Sequence, residues 1–153
     1  MTRQRITVYC DGGCRGNGKA NSIGGWGVVL GYKGKTKELW GGERNATNNT
    51  MELTAAIRAL EAIKTNDIPI DMHIDSSYVV NGMTEWAFNW EKNNWRTAGG
   101  KPAANNELWI RLLELHRKQW EIKYIKVKGH VGVELNELAD QLANKGMDEV
   151  ERT

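Results

Sequence analysis

The repeat distance between apolar residues changes after the first third of this chain, and that change limits the possible folds more than any other feature. Ile6, Val8 and Cys10 alternate with Thr7 and Tyr9, the two-residue period of a half-buried strand. Gly25-Trp26-Gly27-Val28-Val29-Leu30 and Thr36-Lys37-Glu38-Leu39-Trp40 predict two further strands, joined by the turn Lys33-Gly34. Three consecutive strands with short connections imply an antiparallel meander. After Asn48-Asn49-Thr50 the spacing changes, and Leu53, Ala56, Ile57, Leu60 and Ile63 follow the three-and-four pattern of a helix over about 50–64. Asn or Thr is a good N-cap there.

The second half continues in strand–helix units. Ile70, Met72 and Ile74 alternate with Asp71, His73 and Asp75, and Ser76 or Ser77 caps a helix carrying Val79, Val80, Met83 and Trp86. A polar, turn-rich stretch, Glu91 to Ala104, precedes a helix marked by Leu108, Leu112 and Leu115. Ile122, Tyr124, Ile125 and Val127 predict a last strand, and Leu135, Leu138 and Leu142 a final helix with Gly146 at its C-cap. Strand–helix–strand units cross right-handed and give parallel neighbours. The expected class is mixed α/β, a sheet with helices on its faces.

Composition excludes several classes. The chain has 153 residues, 40% hydrophobic and 26% charged, as an ordinary single globular domain does. No apolar run approaches the ~18 residues of a membrane span. No apolar stretch follows Arg3 and Arg5, so a secretory leader is not expected. Two cysteines are too few for a disulfide scaffold, which points to reduced thiols and a cytoplasmic protein. Lys and Arg number 21 against 19 Asp and Glu, too even a balance to mark a nucleic-acid binder by itself. The cations nevertheless cluster, at Lys33, Lys35 and Lys37 and at Lys123, Lys126 and Lys128, while Asp148, Glu149 and Glu151 form an acidic end. Seven Trp against one Phe is unusual, and Trp86, Trp90, Trp95 and Trp109 fall in one third of the chain. Each taken alone is first a packing residue.

One motif misleads. Gly13-Cys14-Arg15-Gly16-Asn17-Gly18-Lys19-Ala20 spells a phosphate-binding loop after a strand. Ala20 replaces the hydroxyl that meets Mg²⁺, and Asn21 to Gly27 is too broken by glycine to form the helix such a loop requires. A hairpin turn is the better reading.

The acids carry more chemistry. Asp11 ends the first predicted strand, Glu52 lies in the first turn of the first helix, and Asp75 ends the fourth strand. Asp140 shares a face of the last helix with Asn136 and Asn144. Strand ends and adjacent helix turns can converge at one edge of an open sheet. Four carboxylates there repel unless hard cations neutralise them. Two such ions roughly 3.5–4 Å apart can activate water and stabilise the leaving oxygen of a phosphodiester. A helix cap or a solvated charge is the plainer reading of each acid taken singly.

The same residues carry a resemblance. Tyr9-Cys10-Asp11-Gly12-Gly13-Cys14, Thr47-Asn48-Asn49-Thr50-Met51-Glu52-Leu53, Ile74-Asp75-Ser76-Ser77-Tyr78-Val79 and Val127-Lys128-Gly129-His130 with Asn136-Glu137 and Asp140 resemble, in order and over almost the whole chain, the bacterial-type ribonuclease HI family. The resemblance implies a five-stranded mixed sheet, three antiparallel strands followed by two parallel ones, with helices on both faces. It implies a catalytic domain over 1–147 with an acidic tail at 148–153. It implies an endonuclease that cuts the RNA strand of an RNA–DNA hybrid without strong sequence specificity, leaving 5′-phosphate and 3′-hydroxyl ends.

In that family Asp11, Glu52, Asp75 and Asp140 correspond to the ligands of two Mg²⁺ ions, for which Mn²⁺ can substitute. Asp11 would bridge both ions, Asp140 would join the ion at the attacking water, and Glu52 and Asp75 would hold the other. His130 would assist proton transfer or product departure. Cys14, Asn17, Asn48 and Asn49 match positions that touch sugar or phosphate, and Thr47, Asn89 and Trp90 match positions that grip the DNA strand. Trp86, Trp90 and Trp95, with Lys92, Arg96 and Lys101, resemble a protrusion that binds the hybrid. His73 and His116 have no such context and read as structural or surface residues.

Two departures stand out: the loop after Asp11 is longer than the family turn, and Glu91, Asn93 and Asn94 dilute the protrusion's charge. No additional N-terminal hybrid-binding domain is expected, and a monomer is expected. The rival readings are a non-catalytic hybrid-binding module and a different nuclease or integrase of the same fold.

Overall fold

The computed structural model describes residues 4–127 and 134–153. Five strands form one sheet in the order β3-β2-β1-β4-β5. β1 (Ile6–Arg15), β2 (Ile23–Tyr32) and β3 (Lys35–Arg44) make the antiparallel meander. β4 (Ile70–Ile74) pairs parallel with β1, and β5 (Ile122–Lys126) parallel with β4. Lys33 and Gly34 both take positive φ, the geometry of a two-residue hairpin turn. The expected class and strand directions are those of the structure.

Alternation along the strands divides the core between the two faces of the sheet. Ile6, Val8 and Cys10 of β1 and Val28 of β2 face α1 (Asn48–Ala62) and α4 (Asn106–Arg117), where Leu53, Ile57, Leu60, Leu112 and the fully buried Trp109 pack. Tyr9 and Val29 face the other way, against Leu135, Leu138, Ala139 and Leu142 of α5 (Glu134–Glu151). Among the described residues no helix is long and apolar enough to cross a membrane.

The structure corrects four expectations. Asp11 does not end β1. The parallel ladder to β4 stops at Cys10–Ile74, but β1 continues beside β2 to Arg15, pairing Asp11 with Gly27 and Cys14 with Gly24. The first helix begins at Asn48, not near residue 50. Thr47 is its N-cap in a capping box with Thr50, so Glu52 lies in the second turn. Gly146 is not a C-cap: α5 runs through it to Glu151, and a Cβ there would collide with the Gly41 carbonyl oxygen. Asp148, Glu149 and Glu151 are therefore helical, and Asp148 and Glu151 pair with Arg15.

The helix predicted after Ser76 is α2 (Ser77–Asn81), with Ser76 as its N-cap. It passes through a π-helical turn (Gly82–Trp86) into α3 (Ala87–Lys92). Gly13 to Arg15 of the false phosphate loop belong to β1, and residues 16–22 turn into β2. The hairpin reading of that segment holds.

Candidate active site

The acids meet because two strands end together and two helices lean over them. Asp11 and Asp75 each follow the last parallel pair, Cys10–Ile74. Gly12 lets α1 come close, since a Cβ there would overlap the Met51 carbonyl carbon and lie 2.6 Å from Glu52 N. The Gly12 N–H donates to Asp11 Oδ1 and Glu52 Oε1, both at 2.9 Å, and so ties the two acids together. On the other face, α5 packs on Gly27, the cross-strand neighbour of Asp11, through Ala139 and Ala143. Asp140 is thereby placed against Asp11.

The electrostatics record this crowding. Burial first, and the neighbouring Asp140 next among the groups that raise it, push the Asp11 carboxyl up to about 6, against opposing hydrogen bonds from Glu52 and Gly12. Burial, then the Asp11 charge, with Asp75 adding to it, hold Glu52 well above the ordinary carboxylate range. All four acids thus interact in a chain, Asp140 with Asp11, Asp11 with Glu52 and Glu52 with Asp75. Lys126 Nζ stands 3.5 Å from Asp75 Oδ1, a cation already at the rim.

The donor set suits a hard divalent cation. Glu52 Oε2 is buried without a hydrogen-bond partner, a costly state for a carboxylate oxygen that a cation relieves. Among the described residues no three Asp, Glu, His or Cys side chains form a ready-made cage. Mg²⁺ asks for none, because it typically uses one or two carboxylates with waters and substrate phosphate. His130 lies outside the described residues.

Four of the predicted substrate contacts gather at the start of α1, the helix that carries Glu52. Asn17 Oδ1 accepts from Asn48 N at 3.0 Å, so the longer loop still reaches α1. Asn17, Gly18, Thr47, Asn48 and Asn49 line a cleft of about 390 Å³, together with Asn105, which sequence reasoning missed. The pair Asn105-Asn106 ahead of a helix was its one signal. Cys14 Sγ lies 3.2 Å from the Ala46 carbonyl oxygen nearby.

Thr47 does not share a cavity with Asn89 and Trp90. Those two line a separate one of about 460 Å³ with Asn93, Arg96, Thr97 and Ala98. Trp86 and Trp90 lie 6.0 Å apart, and Trp90 packs edge-on against buried Trp109. Trp95 is half-buried and packs against the core. Arg117 holds both Glu91 oxygens, at 2.7 and 2.5 Å, and lowers the Glu91 pKa.

His73 stacks on Tyr9 at 4.3 Å, and His116 lies 2.9 Å from Tyr124 Oη, so both are structural. A larger cavity of about 720 Å³ lies at the C-terminal ends of α1 and α4 and contains none of the four acids.

Comparison with known proteins agrees with this architecture. The RNase H family model matches residues 3–148. A ribonuclease H of Ruthia magnifica is 49% identical over 146 residues, covering 95% of this chain and 97% of its own. One of Pseudomonas savastanoi is 48% identical over 145 residues, covering 95% and 94%. Among solved structures, the type 1 enzyme LC9-RNase H1 superposes with a TM-score of 0.85 at 30% identity, covering 97% of this chain and 74% of that one. LC11-RNase H1, solved with an RNA/DNA hybrid, gives 0.74 at 25% identity, covering 96% and 99%. With its acids gathered at the shared strand ends and its sequence matched almost from end to end, the chain belongs to the ribonuclease H family of enzymes.

Proposed function

We propose that this protein is an endoribonuclease that hydrolyses the RNA strand of RNA–DNA hybrids and leaves 5′-phosphate and 3′-hydroxyl ends. The observation that carries the reading is the convergence of Asp11, Glu52, Asp75 and Asp140 at the common end of β1 and β4. Relatives named ribonuclease H and a neighbour solved with an RNA/DNA hybrid support it.

In this scheme Asp11, Glu52, Asp75 and Asp140 would hold the ions, Asp140 toward the attacking water and Glu52 and Asp75 toward the leaving oxygen, with Asp11 common to both sides. Two Mg²⁺ ions, or Mn²⁺, would supply charge neutralisation and a more acidic water when bound. The chain's own contribution is positioning. Gly12 N–H holds Asp11 and Glu52 in register, and the cleft at the start of α1 offers uncharged amides and one hydroxyl to sugar and phosphate oxygens. Reading the 2′-hydroxyl distinguishes RNA from DNA. Trp86, Asn89, Trp90 and Trp95 give the hybrid a second, aromatic footing. His130 acts in proton transfer or product departure. The enzyme works in the cytoplasm as a monomer.

Incubation with end-labelled hybrid, duplex DNA and duplex RNA, each with Mg²⁺ or with chelator, tests this. Internal cuts confined to the RNA of the hybrid and abolished by chelator are the expected result. Preferential cutting of duplex DNA contradicts the reading and favours a different nuclease of the same fold.

A further inference from the structure

We infer that the Tyr78 hydroxyl is a positioning group for substrate binding, fixing the Asn105 carboxamide at the wall of the cleft formed by Asn17 and Thr47 to Asn49. The inference rests on the reading of that cleft as part of the hybrid-binding surface.

Asn105 immediately precedes α4, where an Asn side chain ordinarily accepts a hydrogen bond from the first helical N–H groups. It makes no such bond. Its backbone instead takes the left-handed conformation, φ 59° and ψ 29°, which Asn tolerates better than other residues with a Cβ. Its Nδ2 donates to Tyr78 Oη at 3.1 Å. The side chain has given up a local cap for a partner 27 positions away, and the residue lines the cleft. A second Nδ2 hydrogen and the Oδ1 lone pairs remain for a phosphate or sugar oxygen.

The acceptor is itself held in place. Trp109 Nε1 donates to the same Tyr78 Oη at 3.1 Å. The indole can only donate and Trp109 is completely buried, so the hydroxyl must keep a lone pair turned toward it. The Tyr78 ring packs 5.3 Å from Trp109 and 6.0 Å from Trp86, which in turn neighbours Trp90. Cleft and protrusion therefore share one aromatic backing. Tyr78 also stands three residues beyond Asp75 in a helix capped by Ser76, so the segment that carries a catalytic acid also orients a cleft residue.

Steady-state cleavage of a hybrid by wild type, Tyr78→Phe, Asn105→Ala, the double variant and Trp109→Phe tests the assignment. Tyr78→Phe keeps the ring and removes the acceptor. It should raise KM about three- to tenfold, the scale of one hydrogen bond, with kcat within about twofold. The double variant should be no worse than Asn105→Ala alone. Trp109→Phe removes the donor that fixes the Tyr78 hydroxyl and damages the core; it should lower the melting temperature and raise KM, but by less than Tyr78→Phe, which loses the acceptor itself. An unchanged KM in Tyr78→Phe, additive effects in the double variant, or an equal KM rise in Trp109→Phe overturns the inference. A wild type that cleaves no hybrid removes the cleft reading as well, a result distinct from active wild type with unresponsive Tyr78→Phe.

Discussion

Asp11 bears the sharpest conflict at the residue scale, because folding buries its charge beside two other acids. Its carboxyl titrates at about 6 in the fold against 3.8 in an ordinary setting. A raised carboxyl favours folding below the unfolded value and loses that contribution as pH climbs through the folded one. Between about pH 4 and 7 the metal-free protein should therefore lose up to about 3 kcal/mol through this group. Asp11→Asn removes the charge. We expect it to be about 1–3 kcal/mol more stable than metal-free wild type at pH 7.5, with the difference vanishing near pH 4. Denaturant melts at both pH values check this; a variant less stable than wild type at pH 7.5 contradicts it. Added Mg²⁺ should narrow the gap, because an ion that binds only the folded state stabilises it.

Gly12 is the complementary case, a residue that acts by having no side chain. Gly12→Ala forces β1 and α1 apart at the point where one N–H serves both acids. The expected cost is about 1–3 kcal/mol in stability, with a much larger loss of cleavage. Melting curves paired with hybrid assays separate the two, and full activity in a destabilised Gly12→Ala protein argues against the close approach.

At the scale of elements, α1 is set by its first turn. Thr47 accepts from Thr50 N at 3.0 Å, and Thr50 Oγ1 returns the contact to Thr47 N at 2.9 Å. Thr47→Ala should cost about 1 kcal/mol and also raise KM, since Thr47 lines the cleft. Thr47→Ser, which keeps the cap, should restore most of both. A Ser variant as impaired as the Ala variant contradicts the capping role.

The elements also mark how far sequence reaches. The alternation of Ile6, Val8 and Cys10 and the helical spacing of Leu53 to Leu60 depend on one neighbour, the core, and both led to the right element. Glycine is the ambiguous letter. Gly12 follows the residue expected to end its strand and Gly146 looked like a helix stop, yet both lie inside regular elements where another backbone passes within contact. A missing Cβ serves a turn or a close approach equally well, and only the packing decides between them. The four acids could be proposed from the strands and helices that carry them, whereas Asn105 owes its role to a tyrosine 27 residues away.

Over the whole molecule, the two faces of the sheet divide the labour. One carries α1, α4 and the aromatic cluster that backs the cleft. The other carries α5, which brings Asp140 to the site and closes the C-terminus onto the meander. Arg15 pairs with Asp148 and Glu151, Trp40 Nε1 donates to Glu149, and Arg44 reaches the Val150 and Thr153 carbonyls. These are half-exposed contacts, each worth about 1 kcal/mol or less. Deleting 148–153 should lower the melting temperature by roughly 4–8 °C while leaving kcat within twofold, because none of these residues approaches the acids. A truncated protein with unchanged melting but lost activity contradicts this division.

The central claim is that four acids at one sheet edge hold the cations that cut RNA. The most direct measurement is hybrid binding and hybrid cleavage by wild type and Asp11→Asn, side by side across a Mg²⁺ titration. The account predicts Mg²⁺-dependent cleavage by wild type, a loss of more than about a hundredfold in Asp11→Asn, and hybrid affinity preserved in both. Undiminished cleavage by Asp11→Asn in Mg²⁺, or full wild-type cleavage in chelator, contradicts it.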